Sequence, residues 1–490
     1  MRRTKRFKLS KLTTNTIGFN LDDLHDSILV EILRRLPWKS AVQCMCVCKR
    51  WCSLVSNNPC FDDRFLRVQI DKQGSVSRSS LIFTNPRNRR DFFTTSEHPW
   101  APKRVLRGDR LRRNFSLSFL PCFQGPVKTI AEGGEPIVVA AHNGFLLCPG
   151  TRWFQQDYYI CYPYTKQWDA LPRPPQCTNK VIVGLMCNPY NNLGDRRVCE
   201  DQYRYRVVRI IIPDDDRDER YNSSLGQFKA EIFASETRKW TERVVLYPKN
   251  TKFCVGNLVS RQVAVVFNGM LYFLSTDGFV IGLDPYSNDD NYITPPASLT
   301  TTATGGSEDD GKNYINCHFI DKPEGEDAAT SDLLGVCRWS SGPCMRMCQL
   351  VKDSSGSFRD LCVWDYMQDN QAAAGKYYWS LIGRVDLKTM VTLNPLSMKW
   401  TLDRRFYNGV RVLAFDPNDG DILYLELCQH IVMVNGAAGT LTEAWKTKVS
   451  YHNRAEGDTV FPFVLPRGPT PVHGHKHEEQ ASSSKSRLPH

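Results

Sequence analysis

The residues with the most capacity for chemistry are the cysteines. The chain has 490 residues and 18 cysteines, five of them (Cys44, Cys46, Cys48, Cys52 and Cys60) in one short stretch. Thiols at that density suggest a metal site. Structural zinc sites are built from paired C-x2-C knuckles. The spacing here is C-x-C-x-C-x3-C-x7-C, which on short helices sends the thiols to several faces. Cys344 and Cys348 also lack a second pair at zinc spacing. No apolar segment with a cleavage site opens the chain, so a reducing compartment, cytoplasm or nucleus, is expected, with the thiols free and packed. The 10 histidines are scattered. His473, His475 and His477 alternate in a Pro-, His- and Ser-rich tail and need no function. No G-x-S-x-G elbow, H-E-x-x-H, P-loop or dinucleotide fingerprint occurs. The acidic runs at 214–219 and 308–310 read as solvated loops. No catalytic residue, metal or cofactor is expected, so the chain should act by binding.

The elements that could do the binding begin at residues 21–65. From 26 to 36 the apolar residues are Ile28, Leu29, Ile32, Leu33 and Leu36, which is helical spacing. Glu31, Arg34 and Arg35 take the other side. Asp26 fits an N-cap, and Pro37 stops the helix. Ser40 and Gln43 have the form of a capping box for a second helix. A third is expected over 49–55, ended by Asn57-Asn58-Pro59. Three helices in so short a stretch make a marginal domain that should lean on a partner.

The run Leu24, Ile28-Leu29, Glu31-Ile32-Leu33, Leu36-Pro37, Lys39-Ser40, Cys46-Val47-Cys48-Lys49-Arg50-Trp51 resembles an F-box of the kind common in plants. It departs from the family in one place, since Leu24 is followed by His25 where the family usually has proline. The resemblance implies docking on a Skp-type adaptor, and through it on a cullin-RING ubiquitin ligase. Carried over by position, the adaptor contacts are Leu24, Ile28, Leu29, Ile32, Leu36, Pro37 and Val42. Cys48 and Trp51 are expected to hold the helices together.

The rest of the chain is of another kind. Hydrophobic content of 41% and aromatic content of 11% support a folded core. No apolar run reaches the roughly 18 residues of a membrane span. Six of the 63 Lys and Arg residues lie in residues 1–11, within a net charge of +11. Residues 1–20 read as a basic disordered arm, with nuclear import one use for it. No base-stacking module accompanies it, so no nucleic-acid partner is expected. Residues 66–135 read as a linker with short strands, and 466–490 as a disordered tail.

Residues 136–465 repeat one pattern, strand–turn–strand followed by a turn that ends in an aromatic. Asn143-Gly144 and Asn268-Gly269 are hairpin signals. Turn-plus-aromatic elements end at Trp168, Trp240, Tyr292, Trp400 and Trp445, spaced 72, 52, 108 and 45 residues apart, and beyond the first gap these fit one or two periods of roughly 45–55, the period of propeller blades. These tryptophans are expected to be structural, each plugging the space against the next sheet. The fold class is therefore mainly β with a small all-α N-terminal unit, the propeller having about six blades. The pattern, including an N-P-x-[ST]-x-x-W-type turn, is similar to the F-box-associated and kelch-like propellers that follow plant F-boxes, although kelch double-glycine pairs are missing. Two functions follow. One is a substrate receptor of an SCF-type ubiquitin ligase, with a target protein on the propeller. The other is a propeller that binds or hydrolyses a glycan or small molecule, the helices serving as packing.

Overall fold

The computed structural model divides the chain into two compact units, residues 1–74 and 75–490. It describes residues 24–36, 40, 43–44, 46–56, 79–84, 91–94, 113–188, 204–212, 226–247, 253–258, 264–287, 314–323, 331–352, 358–368, 377–393, 410–446 and 460–464, apart from gaps of one or two residues within the longer stretches. The basic arm, the tail and Trp400 lie outside these residues.

The first unit contains α1 (Asp26–Leu33) and α2 (Lys49–Ser56). Ser40, Gln43 and Cys44 between them are also helical. Val30 and Leu33 form its core, with Leu36, Cys44, Trp51 and Leu54 packed against them.

The second unit is a β-propeller. Blade I joins β1 (Ser79–Thr84), β2 (Asp91–Thr94) and β3 (Arg113–Ser116) to β24 (Val460–Val464). Blade II is β4 (Ala140–His142), β5 (Phe145–Pro149), β6 (Tyr158–Tyr162) and β7 (Gln167–Ala170). Blade III is β8 (Val181–Asn188), β9 (Arg204–Ile211), β10 (Gln227–Ala234) and β11 (Lys239–Leu246). Blade IV is β12 (Val265–Phe267), β13 (Met270–Leu274), β14 (Phe279–Leu283) and β15 (Tyr314–Asp321). Blade V is β16 (Ser331–Trp339), β17 (Gly342–Lys352), β18 (Phe358–Gln368) and β19 (Tyr377–Asp386). Blade VI is β20 (Val410–Phe415), β21 (Ile422–Leu427), β22 (His430–Asn435) and β23 (Thr440–Lys446).

Within each blade neighbouring strands are antiparallel. Counted by hydrogen bonding there are five sheets, because β11 pairs in parallel with β15 and fuses blades III and IV into eight strands. Counted by four-stranded meanders there are six units. The first strands lie side by side around the ring, β4 beside β24 and β8, β16 beside β12 and β20, and β20 beside β24. The segment expected as a linker therefore supplies three strands of blade I. Its strands find their hydrogen bonds at the far end of the chain, Ser79 opposite Val464 and Phe83 opposite Val460.

The apolar core is split into six seams, one between each pair of consecutive blades. Ile82 and Phe92 meet Leu146 and Cys161 between I and II, and Tyr158 and Ile160 meet Val207 and Phe233 between II and III. Leu81 and Val460 meet Leu413 and Tyr424 between I and VI, which closes the ring. A strand buried on both faces has no polar side to show, and β5 and β13 are buried at every position. Backbones come close at the V–VI seam. A Cβ on Gly335 would lie 2.7 Å from the Phe415 ring. The Asn-Gly pairs behave as expected, with φ of 48° and 85° at Asn143-Gly144 and 47° and 77° at Asn268-Gly269.

Trp168 and Trp240 face the other way from the expectation. Each packs on the preceding blade. Trp240 on β11 donates Nε1–H to the Pro172 carbonyl at 2.7 Å, behind blade II. Trp168 on β7 packs against the I–II seam. Trp379 on β19, which the sequence reading missed, donates Nε1–H to the Asp321 carbonyl of blade IV at 2.8 Å. No N-P-x-[ST] turn precedes it.

Charged groups cross the same seams. Arg209 on β9 is fully buried and pairs with Glu231 directly opposite on β10. Its Nε donates to Tyr158 Oη at 3.0 Å and its Nη1 to the Gln176 carbonyl at 3.0 Å, both belonging to blade II and its exit. The Gln176 N–H donates to Glu231 Oε1 at 2.9 Å. Arg346 on β17 repeats the device. It pairs with Asp365 opposite on β18 and donates to the Gly420 carbonyl of blade VI. The seams also hold imidazoles. His142 Nδ1 accepts the Cys187 N–H at 2.9 Å, between blades II and III. Burial holds His142 and His318 down at about 4.

Removing one member of a buried pair strands the other charge. Glu231→Ala should cost about 3–5 kcal/mol in denaturant unfolding, and Arg209→Met with Glu231→Leu should recover most of it. Both histidines bind protons more weakly folded than unfolded. Between the ordinary histidine value and about 4 the unfolded chain carries more protons, so stability should fall as pH drops through that window. His142→Asn keeps an acceptor for Cys187 without titrating. It should flatten that pH dependence, measured by denaturant midpoints across the window.

Candidate functional site

The first unit is where the expected contact residues gather, and α1 organises them. His25 caps the helix, one residue earlier than the expected Asp26. It has φ −61° and ψ 145°, and its Nδ1 accepts the Ser27 N–H at 3.3 Å. This answers the departure at that position. A φ of −61° is one that proline adopts, so histidine keeps the same backbone and adds a side-chain cap that proline cannot supply. Asp26 sits in the first turn, where a carboxylate suits the helix dipole.

Arg50 on α2 holds that end in place. Its Nε donates to Asp26 Oδ1 at 2.9 Å and its Nη2 to the Leu24 carbonyl. The Asp26 side chain is well exposed, so the ion pair alone is worth at most about 1 kcal/mol. The contact with the Leu24 carbonyl fixes the chain entering α1. At the other end Arg34 N–H still reaches the Val30 carbonyl, and tighter bonds then carry the turn through Leu36. Glu31 faces solvent between Arg34 and Arg35. Hydrogen bonds from both guanidiniums, Arg34's foremost, hold its carboxyl below the ordinary range.

The apolar residues of α1 divide into two faces. Leu29, Val30 and Leu33 point inward, Leu29 being 1% exposed. Ile28 and Ile32 are one turn apart, 48% and 41% exposed. Leu29 is thus part of the unit's interior and not of its surface, a correction to the expected contact set. Leu36 is half-buried against Val30 and Leu33, and Leu24 is half-buried. Pro37 and Val42 lie outside the described residues.

Trp51 packs on the Val30–Leu33 core. Cys48 does not belong to that core. It is exposed, and its Sγ accepts the Trp51 N–H at 3.5 Å, which makes it a weak cap for α2. Val47, beside it, is 63% exposed and widens the apolar surface beyond the residues chosen from sequence. The described cysteines of this unit, Cys44, Cys46, Cys48 and Cys52, carry free thiols. Among the described residues no three metal-binding side chains converge. No helix is long and apolar enough to cross a membrane.

Ile28, Ile32 and Val47 leave aliphatic area exposed on this unit. Two isoleucines, each already half covered, bring about 2–3 kcal/mol of further burial between them.

Residues 21–63 match the F-box domain family. Among curated proteins the chain is similar to F-box protein DOR of Arabidopsis thaliana, 25% identical over 262 residues, covering 53% of this chain and 59% of that protein. A second Arabidopsis F-box protein is 24% identical over 300 residues, covering 58% of this chain and 67% of that protein. An Arabidopsis F-box/kelch-repeat protein is 26% identical over 266 residues, covering 53% and 54%. The chain thus spans a little over half to two thirds of the length of these relatives. Residues 21–63 thus carry an F-box domain match and a β-propeller follows in the chain, an arrangement similar to that of Arabidopsis F-box and F-box/kelch-repeat proteins.

Proposed function

We propose that this protein is the substrate-recognition subunit of an SCF-type ubiquitin ligase. The observation that carries the reading is the pair Ile28 and Ile32, exposed on a helix of the matched F-box whose inner face is already filled by Leu29, Val30 and Leu33. An unfilled aliphatic stripe on so small a unit is what a permanent partner would cover. In this reading the Skp-type adaptor takes Ile28, Ile32 and Leu24, with Val47, Leu36, Pro37 and Val42 at the margins. The adaptor links the chain to a cullin-RING assembly, and the propeller holds a target protein. The chain performs no bond chemistry. It raises the local concentration of target lysines near the conjugating enzyme.

The two faces of α1 separate docking from folding. Ile28→Asp with Ile32→Asp should abolish co-purification with a Skp-type adaptor and leave the thermal melt of the chain within about 2 °C. Leu33→Ala should cost about 2–5 kcal/mol and melt the helical unit. Undiminished adaptor binding by the double aspartate variant would refute the reading.

A further inference from the structure

We propose that the outer edge of blade V, strand β19, is a docking site that takes an extended, uncharged apolar segment of the target protein as an added strand. The inference rests on the receptor reading above and names how the target is held.

Exposed apolar side chains concentrate at this edge. Outside the first unit, the large hydrophobic residues exposed among the described residues are Phe154, Met367, Tyr378, Leu381 and Ile382. All but Phe154 lie on β18 and β19, the two outer strands of blade V. β19 has 10 residues, and from Tyr377 to Gly383 none is charged. One side of it pairs with β18, and among the described residues no strand pairs with the other side. Alternate residues of such an edge turn their N–H and C=O groups away from the sheet.

The other outer edges of the ring are guarded. β3 and β7 have only 4 residues each. β11 and β15 cover one another. β23 carries Glu443 and Lys446. Short length, pairing and charge are the ordinary means of keeping an edge from accepting another strand. β19 has only a bulge. Leu381 stands opposite Trp364 and Gly383 opposite Val363, so Ile382 is the extra residue between them. The bulge ends a regular run from Tyr377 to Leu381.

That run is held in place from inside. Tyr377 and Trp379 both pack on Tyr366, with ring centres 5.2 and 4.9 Å away. Trp379 Nε1–H is also bonded to the Asp321 carbonyl of blade IV. An edge fixed in advance loses little freedom when a strand is added.

The two faces of the run specify the occupant. Tyr377 and Trp379 belong to the IV–V seam, and Leu381, two residues on, shares their face at 48% exposure. Tyr378 points to the opposite face, 50% exposed, with Met367 directly across from it. Side chains of an added strand would lie beside Leu381 on one face and beside Tyr378 and Met367 on the other. A charge on either face would lose water and gain no partner, so the segment is uncharged on both. Arg384, beyond the bulge, is bonded to Asp360 of its own sheet. The four exposed side chains offer on the order of 300 Å², well short of the roughly 800 Å² that each partner of a stable dimer buries. A second folded copy would bring one edge against that small area. An extended segment also lays its side chains over both faces while its main chain bonds to the edge.

The test uses the full chain and a fluorescein-labelled Val-Thr-Val-Phe-Val-Thr-Val peptide, followed by fluorescence anisotropy. Saturable binding is expected. N-methylating the peptide's amides keeps its side chains and removes its donors, and should weaken binding at least about tenfold. Tyr378→Lys with Leu381→Lys should lose as much and keep the melting midpoint within about 2 °C, both side chains being half exposed. Phe154→Ser, an exposed aromatic on blade II, should bind as wild type does. Undiminished binding by the methylated peptide or by the double lysine variant, or a lower midpoint for that variant, would overturn the proposal. So would a wild-type dimer in sedimentation that the double lysine variant abolishes, since the occupant is then a second copy. Failure of the wild-type chain to bind the peptide while it co-purifies with the adaptor overturns the strand site alone. Peptide binding without adaptor binding upholds the strand site and overturns the receptor reading.

Discussion

Pairing of Val460–Val464 with Ser79–Thr84 converts a row of meanders into a ring. Each blade is buried on both faces, so each needs a neighbour on both sides. An open row would leave two faces bare, one on blade I and one on blade VI. The VI–I seam around Leu81, Tyr424 and Val460 covers both at once. The entropic cost of joining distant segments grows only with the logarithm of the loop, roughly 0.6 kcal/mol per doubling. A handful of buried aliphatics and a short ladder offset it. Pro462 sits in the closing strand opposite Leu81, on an edge strand of its sheet, the place where a sheet tolerates proline.

Burial of both faces explains why the seams use charge sparingly and in pairs. Arg209 and Arg346 each lie opposite an acid on the next strand and then reach a carbonyl of another blade. A guanidinium is long enough to satisfy its own sheet and its neighbour together. Aliphatic packing gives no such directional link, so these residues fix the rotation of one blade against another. The tryptophan Nε1–H bonds do the same at the outer strands, always toward the blade behind.

What could be read from sequence was what is local. Asn-Gly hairpins and the four-residue turns before Trp168 and Trp240 are set by neighbours in the chain, and the structure has them. Blade I was taken for a linker because the partner of β1 is β24, and no pattern near residue 79 announces it. In α1 the spacing marked both Ile28/Ile32 and Leu29/Leu33 as i, i+4 pairs. One apolar stripe two residues wide does not say which edge is inside, and packing with Trp51 and Leu54 decides it. Arg50 was passed over because its role depends on where α2 meets the start of α1. Cys48 is expected to hold the helices together, yet its thiol accepts a helix N–H at the surface.

The parallel ladder between β11 and β15 gives the ring a direction. Among the described residues no other two blades share a backbone ladder. Here Val244, Val245 and Leu246 are bonded in step with Tyr314, Ile315 and Asn316. Any local opening between blades III and IV has to break this ladder as well as the apolar seam. The propeller is then no symmetric wheel of six equal spokes. Blades III and IV form one continuous eight-stranded sheet, and each of the other four blades is a sheet of its own.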